Sequence, residues 1–215
     1  LWECQTYFEA VEKEYCELLK SYASADEISK ALFAVETANM PLLGYGSKAF
    51  LLSLLENAIE VSGGRLKADE VEKIIKLGKE LLQLPGKPMD GVEETLKVLR
   101  ETGKYHLVVF TKGELLDQEN KFHRSGLKPY FDDIIVVSDK TEASYYQLCE
   151  RFSINVEQLL MVGNSFRSDI EPVLKLGGWA AHIPFHTTWQ HEVVEEYEHP
   201  HLLKLEYFTQ LNQVL

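Results

Sequence analysis

Between Tyr7 and Leu82 the apolar positions recur at spacings of three and four. Tyr7, Phe8, Val11, Tyr15, Leu18 and Leu19 line one face of a first helix, and Phe50, Leu51, Leu54, Leu55, Ala58 and Ile59 repeat the pattern. Ile28, Leu32, Phe33 and Val35, then Val71, Ile74, Ile75 and Leu81, supply further faces of the same kind. The spacing predicts a bundle of about four helices, broken at Met40-Pro41, at Gly44-Tyr45-Gly46 and at Gly63-Gly64.

The stretch richest in turn-formers is Leu84-Pro85-Gly86-Lys87-Pro88, and the domain boundary is placed there. After it the pattern alternates. A helix from about Gly91 to Glu101 leads to a strand ending at Phe110, and a helix from Glu114 to Ser125 leads to a strand at Ile134. Next come a helix from Glu142 to Phe152, a strand at Leu159, a helix from Ile170 and a strand from Ala180 to Ile183. Strands alternating with helices at this spacing call for a parallel sheet with right-handed crossovers. The expected fold class is therefore α/β, a Rossmann-like parallel-sheet core over residues 84–215 with a helical domain over residues 1–83. The charged and aromatic tail reads as a helix from Gln190 to Tyr197 and another from about Leu203.

Charge narrows the partners. With 34 acidic against 22 basic residues the net charge is -12, which disfavours nucleic acid and anionic lipid, so an anionic substrate must meet a local positive site. No apolar run approaches the roughly 20 residues of a bilayer crossing, and the opening residues are not a basic segment followed by an apolar one; the expectation is a soluble cytoplasmic protein. Cys4, Cys16 and Cys149 are odd in number and scattered, as reduced thiols are.

The candidate chemistry collects at strand ends. Leu159 to Val162 runs into Gly163-Asn164-Ser165-Phe166-Arg167-Ser168-Asp169, where a glycine, a polar turn and an acid opening a helix bring oxygen ligands together beyond a sheet's carboxyl end, as a hard cation requires. Leu107 to Phe110 runs into Thr111, Lys112 and Gly113, and Ile134 to Val137 into Ser138, Asp139, Lys140 and Thr141. If the strands are parallel neighbours, a hydroxyl, an ammonium and a carboxylate reach one rim, a set that suits a phosphoryl group with a bound metal. The ordinary alternatives are a capping Thr111, a solvated Lys140 and an Asp169 that merely favours a helix start. His182, His186 and His191 lack a cysteine or paired acid at ligand spacing, and a zinc site is set aside. A cysteine phosphatase loop and a glycine-rich nucleotide loop are not found.

On these residues the chain resembles the haloacid dehalogenase-like hydrolases, most of which are magnesium-dependent phosphatases. Thr111 matches the family's second motif, Lys140 the third, and Gly163 to Asp169 the acidic fourth, with Asn164 where many members carry Asp. The resemblance implies that the Thr111 hydroxyl and the Lys112 main-chain N–H hold phosphoryl oxygens, that Lys140 neutralises the nucleophile and the phosphoryl group, and that Asp169 and Asn164 bind Mg2+. It also implies that residues 3–83 form a mobile cap whose loop from Asn39 to Lys48 faces the core, making Tyr45 and Lys48 candidate specificity residues. The first motif, Asp-x-Asp-x-Thr, carries the nucleophile. Leu1-Trp2-Glu3 resembles the residues immediately after that motif, so the first strand and its Asp are expected upstream of Leu1.

The implied function is a magnesium-dependent phosphatase acting on a small phosphorylated metabolite through an aspartyl-phosphate. Two alternatives stand beside it: a metal-independent 2-haloacid dehalogenase, and a catalytically silent relative that binds a phosphorylated ligand or a partner protein. Substrate identity and oligomeric state are left open.

Overall fold

The computed structural model describes residues 1–187 and 189–215. The chain divides into two units, one of Trp2–Lys87 with Lys112–Gly126, the other of Leu1, Pro88–Thr111 and Leu127–Leu215.

The first unit is helical. It contains α1 (Gln5–Leu19), α2 (Ala25–Leu43), α3 (Ser47–Val61), α4 (Ala68–Leu81) and, from after the first strand, α6 (Leu115–Ser125). Tyr15, Leu19, Ile28, Leu32, Leu54, Ala58 and Ile74 are fully or almost fully buried in its core, so most positions of the faces read from the spacing pack, while Tyr7 and Ile59, read on the same faces, lie exposed at the margin of their helices. The Tyr15 hydroxyl donates to the Leu54 carbonyl at 2.9 Å and lies 2.6 Å from Asn57 Oδ1, which satisfies the phenol inside that core. Ser24 starts α2 with a capping box closed by Glu27. The break expected at Met40-Pro41 does not occur: α2 runs through Pro41 to Leu43 and ends where Gly44, at φ 68°, donates to the Met40 carbonyl at 3.0 Å. A proline in the last turn removes one hydrogen bond, which the helix tolerates this close to its end. Helix α6 is held by Arg124, whose guanidinium donates to the Leu84 and Leu82 carbonyls at 2.7 and 3.2 Å.

The second unit carries the sheets. Strands β1 (Val108–Lys112) and β2 (Asp133–Val137) pair with each other, and β3 (Leu160–Gly163), β4 (Trp179–His182) and β5 (Leu202–Lys204) form a parallel sheet in that order. Helices α5 (Val92–Thr102), α7 (Glu142–Phe152), α8 (Glu171–Lys175) and α9 (Leu211–Val214) complete it. Phe110 of β1, Tyr145 and Leu148 of α7, Val173 and Leu174 of α8 and Ala180 of β4 share one apolar cluster, with Val137 of β2 and Met161 of β3 packed against it. The fold class is thus α/β with a parallel sheet. No described helix is long and apolar enough to cross a membrane.

Two details differ from the pattern reading. Before α8, residues Phe166–Ile170 wind as a π-helical turn, a wide turn often found at functional sites. In the tail, the helix expected from Gln190 to Tyr197 contracts to a single 3-10 turn at Gln190–Glu192, and Leu202–Lys204 forms β5 where the pattern predicts the start of a helix. The edge of β4 decides this. Its unpaired backbone groups take a strand, with Ala180 opposite Leu202 and His182 opposite Lys204, and Leu202 packs against the core.

Candidate active site

The site grows from the turn after β3. Gly163 ends the strand, and the next residues fold so that the Asp169 carboxylate doubles back over it: a Cβ on Gly163 would lie 2.2 Å from Asp169 Oδ2 and 2.4 Å from its Cγ. Glycine is required there by close approach. The Ser165 N–H donates to Asp169 Oδ2 at 3.1 Å, and the Asp169 N–H returns to the Ser165 carbonyl at 2.8 Å. Carboxylate and turn therefore fix each other.

Lys140 meets this carboxylate from the loop after β2. Its ammonium lies 2.6 Å from Asp169 Oδ1, with side-chain exposures of 10% and 8%. Its own N–H is held by Asp139 Oδ1 at 2.9 Å, and its ammonium stands 5.6 Å from the centre of the Phe110 ring. Thr111, half-buried, follows Phe110 near the end of β1. Lys140 and Asp169 are thus in direct contact, while the residue next to Thr111 borders the same ammonium.

Asn164 is exposed, and its main-chain carbonyl lies 3.1 Å from His182 Nε2. A carbonyl only accepts, so Nε2 carries the hydrogen; Nδ1 then faces Glu196 Oε2 at 3.8 Å. The register that sets Gly163 opposite His182 places this histidine beside the turn. From α7, the Tyr145 hydroxyl donates to the Ser168 carbonyl at 2.9 Å. Burial, with the negative charges of Asp169 and Glu192, raises this phenol far above its usual range and keeps it a donor. The hydroxyls of Ser165 and Ser168 both donate to Glu192 Oε2, the latter at 2.7 Å.

The remaining candidates lie in the helical unit and are engaged with one another. The Lys112 ammonium stands 4.1 Å over the Tyr45 ring, and Lys48 pairs with Glu114 at 3.2 Å. Burial alone would raise the Glu114 carboxyl, but the Lys48 ammonium and the Asp117 N–H more than reverse this and hold it below the usual carboxylate range. Tyr45 and Lys48 are therefore tied to the residues that leave β1.

Sequence reasoning misses three participants. Tyr145 falls inside the helix read from Glu142 to Phe152 and is not singled out; His182 reads only as a rejected zinc ligand; Glu192 falls in a stretch that reads as a charged tail helix. None has a local signal, because each acts through a backbone or hydroxyl group distant in the chain.

As oxygen donors for a cation the turn offers one carboxylate, Asp169, and one exposed amide, Asn164; among the described residues no group of three or more His, Cys, Asp and Glu gathers as a metal site. A magnesium ion is often held by one or two carboxylates, with waters and substrate oxygens completing its shell, and this donor set fits that habit.

Polar side chains gathered at the carboxyl ends of strands around a lysine–aspartate pair occupy the place where open α/β sheets bind their ligands. The family model for haloacid dehalogenase-like hydrolases matches residues 5–177, and the chain belongs to that family. A haloacid dehalogenase-like family hydrolase from Xanthomonas campestris is 32% identical and superposes with a TM-score of 0.89 over 100% of this chain and 85% of that one. A 2-haloacid dehalogenase from Pseudomonas syringae (16% identity, TM-score 0.66, 100% and 93% covered) and a magnesium-bound family hydrolase from Bacillus subtilis (16%, 0.65, 96% and 92%) share the fold. Phosphatases also occur among the solved structures of this fold. No curated protein gives a match.

Proposed function

We propose that this hydrolase is a magnesium-dependent phosphatase of small phosphorylated metabolites, working through an aspartyl-phosphate. The observation that carries this reading is the buried Lys140–Asp169 pair with the exposed Asn164 beside it. One of the three N–H groups of Lys140 is directed at Asp169, and the ammonium as a compact point charge suits phosphoryl oxygens. Asp169 and Asn164 would hold magnesium, which when bound neutralises charge on the phosphoryl oxygens. Thr111, with the Lys112 N–H, would hold those oxygens in line for attack.

In this reading a carboxylate nucleophile attacks phosphorus, the bond to the leaving oxygen breaks, and that oxygen takes a proton from a second carboxylic acid. Water then attacks the acyl phosphate, releasing phosphate and regenerating the carboxylate. Tyr45 and Lys48 are proposed to influence substrate choice through their ties to Lys112 and Glu114. A soluble cytoplasmic setting and a small-molecule substrate accompany the proposal.

A metal-independent 2-haloacid dehalogenase is the second reading. It is favoured by one observation: both Asp169 oxygens are already engaged, by Lys140 and by the Ser165 N–H. The test is an assay of the full-length protein against a panel of small phosphate monoesters and against 2-chloropropionate, each with magnesium and with chelator. Phosphate release that chelator abolishes is expected. Chloride release untouched by chelator would replace the phosphatase reading with the dehalogenase, and no turnover at all would favour the silent binder.

A further inference from the structure

Glu192 is a buried carboxylate, 8% exposed, in the short 3-10 turn of the tail. Its Oε2 accepts the hydroxyl hydrogens of both Ser165 and Ser168, which are themselves buried at 9% and 5%. Removing an anion from water is costly unless hydrogen bonds to the charged form replace the lost solvation. Two hydroxyls supply them here. A carboxylate kept at that cost, against a turn that already has its own backbone bonds, points to a role beyond stability.

The connections run onward to the site. Ser165 Oγ accepts the Ser168 N–H at 3.0 Å, the Ser165 N–H holds Asp169 Oδ2 at 3.1 Å, and Asp169 Oδ1 holds the Lys140 ammonium at 2.6 Å. The same stretch of tail grips the outside of the turn. Arg167 donates to the His191 carbonyl, and the Phe166 ring packs edge-on to Tyr197 at 5.0 Å. Each serine has one hydroxyl hydrogen, and in both it is directed at Glu192.

We propose that Glu192 is a positioning residue of the hydrolase: by holding both serine hydroxyls it fixes the π-helical turn that aims Asp169 at Lys140. The proposal deepens the functional reading of this site and rests on it for its kinetic consequence. Its structural consequence, a stiffened turn, stands separately.

The test compares full-length wild type with Glu192→Ala and Glu192→Gln by hydrogen-exchange mass spectrometry and by steady-state kinetics on whichever phosphate monoester or haloacid the wild type turns over. Glu192→Ala is expected to speed amide exchange in peptides spanning 163–170 by about tenfold or more, leave peptides of α1 unchanged, and lower kcat about 10- to 100-fold with KM within about threefold. Glu192→Gln keeps a carbonyl oxygen as acceptor and is expected to restore both readouts to within about fivefold of wild type. Wild-type exchange in 163–170 for the alanine variant would overturn the proposal. So would faster exchange spread equally over α1, which makes the residue a general stabiliser. If the alanine variant does not fold, Ser168→Ala replaces it, with local faster exchange expected and unchanged exchange counting against. A wild type without turnover would sink the hydrolytic reading alone, and the exchange comparison would then decide whether Glu192 holds the turn.

Discussion

The Lys140 ammonium and the Asp169 carboxylate lie 2.6 Å apart, each on a side chain no more than 10% exposed. They come from different strand-end loops, 29 positions apart in the chain. A pair this dry is a poor source of net stability but is costly to break, because removing one partner strands the other charge in a low-dielectric site.

Lys140→Met is accordingly expected to destabilise the protein by about 3–5 kcal/mol and to abolish turnover. The double variant Lys140→Met/Asp169→Asn is expected to recover a substantial part of the stability but none of the activity. Urea denaturation of the two variants checks this; a single variant as stable as wild type would show that the pair does not form.

Gly163→Ala forces a methyl to within 2.2 Å of Asp169 Oδ2. The carboxylate must move, so turnover is expected to fall by about 100-fold for a displacement near 1 Å, with a stability loss of about 1–3 kcal/mol from overpacking. Kinetics and denaturation of the one variant measure both, and an alanine at 163 with wild-type activity would contradict the placement of Asp169.

Gly78 sits inside α4, where alanine ordinarily adds about 1 kcal/mol of helix stability. Here the sign is expected to reverse, since the new Cβ would stand 2.8 Å from both Leu51 Cβ and Cγ in the packing of α3 on α4. Gly78→Ala should lower stability by about 1–2 kcal/mol through overpacking. A raised thermal midpoint would show that the two helices are not in such close contact.

Glu36, half-buried on α2, has its carboxyl pushed from 4.5 up to about 7 by burial and by the neighbouring Glu12. The folded state keeps this proton while the unfolded chain loses it, so stability from this group is fully present below pH 4.5, falls as pH rises to about 7, and is flat beyond. Glu36→Gln should match wild type near pH 4 and exceed it at pH 8 by about 1–3 kcal/mol, the range allowing for solvent screening. Denaturation midpoints of both proteins across that range test it, and parallel pH profiles would remove Glu36 as the cause.

The sequence by itself determined the alternation of elements from Val92 to His182, the four-helix character of the first third, the family, and the residues of the acidic turn. These are local matters. Apolar period, capping residues and glycine positions act within a turn or two of the chain, and the residue types of a motif such as Gly163 to Asp169 are read within one short stretch. What only the tertiary structure decided is long-range: that Lys140 meets Asp169, that Tyr145 donates to the Ser168 carbonyl, that Lys112 rests on Tyr45, and that the tail becomes β5 and a single turn presenting Glu192. The free strand edge on β4 takes β5 and a pair of buried hydroxyls takes Glu192, and neither leaves a mark in the residues nearby, because the partners that satisfy them lie tens of positions away.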